Sequence, residues 1–79
     1  MITIKVLGSG CANCKRLEQI VRQVVENEKL DAEIIKVTNF DEITKYPILA
    51  TPGLVVNEKV VSYGRIPSLE EVTAFLKAA

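Results

Sequence analysis

The order of periodic segments in this 79-residue chain predicts an α/β fold built on one mixed four-stranded sheet. Three observations carry that expectation. A β-rich apolar run, Ile2–Leu7, leads into a helical pattern and then into a second β-rich run, Ala32–Val37, which implies a right-handed parallel crossover. Two further β-rich runs flank Asn57-Glu58-Lys59, the signature of a tight hairpin. The chain then finishes in an amphipathic stretch that follows a capping-box spacing, Ser68 and Glu71. The full order is β-α-β-α-β-β-α, read as a single domain over residues 1–79, with no internal repeat or linker.

Each element has a local reason. Gly8-Ser9-Gly10 breaks the first strand. The first helix is expected from about Ala12 to Glu28, with Leu17, Ile20, Val21, Val24 and Val25 spaced three and four apart on one face. Its β-branched residues lower intrinsic propensity, so packing must hold it. Asn39 and Glu42 have capping-box spacing for a short helix over Phe40–Lys45. Pro47 ends it, because the residue before a proline is pushed out of the helical region. Ile48–Thr51 reads as a loop, Gly53–Val56 and Val60–Tyr63 as the hairpin strands, and Gly64-Arg65-Ile66-Pro67 as a second break. The last helix carries Leu69, Val72, Phe75 and Leu76 as its apolar stripe and runs to about Lys77. Phe75 is expected in the core, Tyr46 and Tyr63 as packing residues with polar tips, and Arg65 as a solvated loop charge.

Composition narrows the function. Ten basic and ten acidic residues give zero net charge, which offers no footprint for nucleic acid or an anionic membrane. Met1–Leu7 is too short and lacks the basic flank of a signal peptide, and no segment has the length and apolar character of a membrane span. A cytoplasmic location in a reducing compartment is therefore expected. Histidine is absent, so the commonest general base and metal ligand is missing. The two cysteines lie too close in sequence to serve as a structural staple, since the loop they close is tiny. Their use is chemical or metal-binding.

Cys11-Ala12-Asn13-Cys14 stands between a strand and the helix that strand feeds. A thiolate is the nucleophile in exchange chemistry, and the unpaired amides and dipole of a helix N-terminus favour it. Lys15 and Arg16 add positive charge nearby. Residues i and i+3 of a helical turn lie about 5–6 Å apart, within the separation a disulfide needs. Cys11, at the outer end, is expected to be exposed and to attack a substrate disulfide. Cys14, one turn in, is expected to be partly covered and to resolve the mixed disulfide. Zinc within one chain is disfavoured, because its usual four ligands are not available, while zinc shared between two chains stays open.

Three motifs together resemble the thioredoxin superfamily, and within it the small archaeal and bacterial redox-active disulfide proteins. They are Gly8 to Cys14 (G-x-G-C-A-N-C), Thr51 to Val56 (T-P-G-L-V-V) and Gly64 to Glu71 (G-R-I-P-S-x-E-E). The resemblance spans the whole chain. It implies a thioredoxin-like fold with helices on both faces of the sheet, and thiol–disulfide oxidoreductase activity through Cys11 and Cys14 without a cofactor. The residues alone leave cis and trans open at Thr51-Pro52. The resemblance implies cis, with the Thr51 backbone free to pair with an extended substrate and Pro52 beside the cysteines. By the same analogy Gly64 lines the substrate groove, although a strand-ending turn glycine would read the same way. The partners implied are protein disulfides and a thioredoxin-reductase-like electron donor, with the chain itself a monomer.

The chain also departs from that pattern. Gly10 stands where the family's tryptophan is usual, and Ala12-Asn13 replaces Gly-Pro. Lys5 occupies the place of the family's buried acid, and a charge-reversed pair between Lys5 and Glu33 under the cysteines is expected. Two other functions compete. Heavy-metal-associated domains place a similar Cys-x-x-Cys after a first strand, and two thiolates suit monovalent copper. Those domains run β-α-β-β-α-β, however, and lack a proline like Pro52. A non-catalytic adaptor that uses the fold to hold a partner is the third reading.

Overall fold

The computed structural model describes residues 1–8, 12–48 and 50–79. Among them, strands β1 (Ile2–Leu7), β2 (Ala32–Val37), β3 (Gly53–Val56) and β4 (Lys59–Tyr63) form one sheet in the order β2-β1-β3-β4. Helices α1 (Ala12–Asn27), α2 (Phe40–Ile43) and α3 (Leu69–Lys77) complete the β-α-β-α-β-β-α order read from the sequence. β1 pairs with β2 in parallel, as the crossover requires, and with β3 antiparallel. The sheet is mixed, as expected.

Alternation along the strands separates two apolar layers. Ile4, Val6, Leu54 and Val56 face α1 and α3, where they meet Leu17, Val21, Val24, Val72 and Leu76. Leu7, Val37 and Val55 face the other way and pack with Ile43 of α2. Helices therefore cover both faces. Phe75 is only partly buried, at the rim of the first layer.

Helix α1 ends one residue earlier than the periodicity suggested, through a Schellman motif. The Leu30 amide donates to the Val25 carbonyl at 3.0 Å, and the Lys29 amide donates to the Glu26 carbonyl at 3.3 Å. Lys29 takes the left-handed position, with φ of 52°. An L side chain there costs about 1–2 kcal/mol, which glycine avoids at some cost in unfolded-state entropy. Lys29→Gly is expected to stabilise the protein by about 1 kcal/mol, readable as a raised midpoint in urea.

Helix α2 is shorter than expected, because Thr44 and Lys45 form a turn. Asn39 caps it by accepting from the Asp41 amide at 2.8 Å rather than from Glu42. The hairpin turn is tighter than Asn57-Glu58-Lys59. Val56 pairs with Lys59, so only Asn57 and Glu58 lie between, with φ of 50° and 67°. Two left-handed central residues match the twist of a hairpin. Asn57 also ties the turn to β1, because its side-chain oxygen accepts from the Thr3 amide at 3.0 Å.

Helix α3 has the expected capping box, and Arg65 completes it. The Glu71 amide donates to the Ser68 hydroxyl and the Ser68 amide donates to the Glu71 carboxylate, each at 3.1 Å. Arg65 is exposed, as expected of a loop charge, but it is also paired: it donates to both Glu71 oxygens, at 3.1 and 2.7 Å. The Arg65 guanidinium, then the Ser68 amide, hold the Glu71 carboxyl down at about 2. A carboxyl lowered on folding binds fewer protons than it does in the unfolded chain. Its stabilisation is complete above the ordinary value of 4.5 and is lost as pH falls toward 2. Glu71→Gln should therefore flatten the decline of melting temperature across that window, relative to the unsubstituted protein.

Candidate functional site

The candidate residues gather where β1 ends. Leu7 of β1 pairs with Gly53 of β3, and continuing that register by one residue sets Gly8 opposite Pro52. The Gly8 amide donates to the Val37 carbonyl at 3.0 Å, which extends the β1–β2 ladder past the last strand residue. The Thr51-Pro52 bond is cis, as the resemblance implied. Pro52 is buried and Thr51 is exposed. Among the described residues no backbone hydrogen bond engages Thr51. Gly64 reaches the same loop, because its amide donates to the Pro52 carbonyl at 2.9 Å. Its φ of 74° is a left-handed conformation suited to glycine. The three residues expected to meet substrate thus lie at this end of the sheet, with Gly64 joined to Pro52 by that bond.

Cys14 sits in the first turn of α1 and is buried, with 5% of its surface exposed. Helical spacing places it one turn before Leu17 on the core-facing side. The cysteine is not a free thiol. Cys11, the expected attacking thiol, lies outside the described residues. The first turn of α1 carries no acidic residue, so nothing there opposes the positive end of the helix dipole. The nearest acid along the helix, Glu18, is taken up by Arg22 at 2.8 Å and by Lys36 of β2 at 3.2 Å. Those contacts, Arg22 foremost, lower its carboxyl below the usual range. Val6, Cys14, Lys15, Glu18, Lys36 and Thr38 enclose a small cavity of about 60 Å³ beside the cysteine.

The expected Lys5–Glu33 pair does not form. Lys5 lies opposite Ile35, and Glu33 opposite Thr3, in the β1–β2 register. Lys5 turns to the hairpin instead. Its ammonium bonds Glu58 at 2.6 Å and donates to the Tyr46 hydroxyl at 2.9 Å. Glu58, then Tyr46, raise the Lys5 pKa above its ordinary value, and Lys5 lowers that of Glu58. The ion pair crosses from β1 to the β3–β4 turn because that turn is folded back against β1. Tyr46 is the packing residue with a polar tip that was expected, whereas Tyr63 stands 43% exposed.

Sequence reasoning gave no role to two residues that the geometry brings forward. Phe40, at the start of α2, is 75% exposed and walls a cavity of about 280 Å³ that reaches Ile48, Ala50 and Thr51. An aromatic at a helix start carries no signal of exposure in the sequence. Gly8 is the other: a Cβ built on it would collide with the Cys14 sulfur. A larger apolar cavity of about 370 Å³ lies at the opposite end of the sheet, between Val56, Val61 and Phe75, and holds none of the candidate residues.

Comparison with known proteins agrees with this arrangement. The family model described as a thioredoxin domain matches residues 2–77. A thioredoxin of Methanocaldococcus jannaschii is 38% identical over 78 residues, covering 99% of this chain and 90% of the relative. A thioredoxin of Methanothermobacter thermautotrophicus is 38% identical over 76 residues, covering 96% and 99%. Among solved structures, the germline-specific thioredoxin Deadhead of Drosophila melanogaster aligns with a TM-score of 0.68 at 17% identity, over 98% of this chain and 79% of that one, a likeness of fold. With its sheet order, its cis proline and these relatives together, the chain belongs to the thioredoxin family of thiol–disulfide oxidoreductases.

Proposed function

We propose that this chain performs its thiol–disulfide exchange through Cys11 and Cys14, with protein disulfides as substrates. The Cys11 thiolate attacks one sulfur of a substrate disulfide. That bond breaks, a mixed disulfide forms, and the first substrate thiolate leaves and takes up a proton. Cys14, having released its proton to solvent, attacks the Cys11 sulfur. The internal disulfide closes and the second substrate thiol departs. Two electrons and two protons have then passed to the substrate. The observation that carries this reading is the buried position of Cys14 in an acid-free first helical turn, at the sheet end where Pro52 and Gly64 converge.

Thr51, whose backbone makes no hydrogen bond among the described residues, offers that backbone to an extended substrate segment, and Gly64 leaves room alongside it. A reducing cytoplasm and a thioredoxin-reductase-like donor supply the electrons, and the chain acts as a monomer. Among the described residues no helix is long and apolar enough to cross a membrane. The soft-metal reading is the weaker one, because helix α2 and the cis Pro52 stand between β2 and β3, where metal-carrying domains of that motif run β-α-β-β-α-β.

Titration of the protein against a dithiol buffer of known potential tests the proposal. A reversible two-electron couple near about −270 mV is expected for a reductant. Absence of any couple, with tight copper uptake in its place, would transfer the chain to the metal reading.

A further inference from the structure

We infer that Gly8 is a positioning residue for the Cys14 sulfur, and that its missing side chain sets how readily the cysteine pair is oxidised. The inference rests on the exchange reading above. Ile4, Val6 and Gly8 alternate onto the same face of β1, the face that α1 covers, so a side chain at residue 8 would point at the first turn of that helix. That space is taken. A Cβ on Gly8 would overlap the Cys14 Sγ and stand 3.1 Å from the Cys14 Cβ. The backbone gives no other reason for glycine. Left-handed glycine occurs at Gly64, and Gly8 is not in that region. Gly8 is also tied sideways into the sheet by its 3.0 Å bond to the Val37 carbonyl of β2, so it cannot move away from α1 without straining the ladder.

The consequence concerns the two redox states differently. A methyl at residue 8 claims the place the sulfur holds when Cys14 is bonded rather than free. As a free thiol, Cys14 can turn its sulfur to another rotamer. Closing the internal disulfide, which gives up two electrons and two protons to the substrate, confines the sulfur to one direction. A side chain at residue 8 therefore disfavours the disulfide more than the dithiol. Glycine here keeps the pair a better reductant.

The test compares the unsubstituted protein with Gly8→Ala in a dithiol buffer of known potential, and adds Cys14→Ala with and without Gly8→Ala. Gly8→Ala should shift the equilibrium toward the dithiol at least tenfold, which is about 30 mV for a two-electron couple. It should also lower the melting temperature more in the oxidised protein than in the reduced one. In the Cys14→Ala background the same methyl should cost clearly less, because the sulfur is gone. A Gly8→Ala protein that fails to fold, beside a folded double variant, supports the inference equally. An unchanged potential in Gly8→Ala with a normal couple in the unsubstituted protein would overturn it alone. So would equal destabilisation with and without the sulfur. Absence of a couple in the unsubstituted protein would remove the exchange reading itself, and this inference with it.

Discussion

Cys14→Ser is expected to turn the protein from a catalyst into a trap. Serine keeps the size and helical position of the resolving residue but supplies no thiolate, so the second displacement cannot occur. The first displacement, at Cys11, is untouched. Mixed disulfides between Cys11 and substrate proteins should accumulate, visible as dithiothreitol-sensitive adducts on non-reducing gels. Cys11→Ser should form no adduct at all, with turnover at background in both variants. The asymmetry is the informative part. It follows from place: Cys14 is buried against the end of β1, where a large partner's disulfide has no approach. Adducts on Cys14 in the Cys11→Ser protein would reverse the assignment of roles. Equal loss without adducts in either variant would point to a structural pair.

Much of the fold around the candidate site was legible in the sequence because its logic is local. The strand that feeds a helix through Gly8-Ser9-Gly10, the proline before β3 and the capping box of α3 each act within a few residues, and periodicity carries the rest of the fold. What escaped depended on which segments meet. Alternation told which face Lys5 occupies but not its partner, because Glu58 comes from a turn 53 residues along the chain. Arg65 looked like a loop charge because its bond to Glu71 exists only once α3 has folded against that loop. Gly8 read as punctuation, and its reason appears only when α1 is laid over β1. The β-hairpin came out one residue tighter because Asn57 and Glu58 both take the left-handed conformation, which the Glu58 side chain does not signal in the sequence; Glu58 also pairs with Lys5.

Leu17→Ala should give the largest stability loss of a single core truncation near the site. Leu17 is fully buried in the layer between α1 and the sheet, one turn past Cys14. Removing such a side chain leaves a cavity and costs about 2–5 kcal/mol. A domain of this size has a total stability of roughly 4–12 kcal/mol, so the change consumes a large share of it. The melting temperature should fall by about 4–8 °C for each kcal/mol lost. Leu69→Ala is the comparison, since Leu69 is 42% exposed at the start of α3 and should change stability by no more than about 0.5 kcal/mol. The exchange chemistry gives Leu17 a second signature. Its contacts hold the turn that carries Cys14 down on Gly8, and loosening that turn removes the constraint that favours closing the disulfide. Leu17→Ala should therefore slow resolution of the mixed disulfide at temperatures where the protein is still folded, whereas Leu69→Ala should not. Equal resolution rates in the two variants would mean that the first turn of α1 is held by the Gly8 contact and the Glu18–Lys36 bridge without help from the core below.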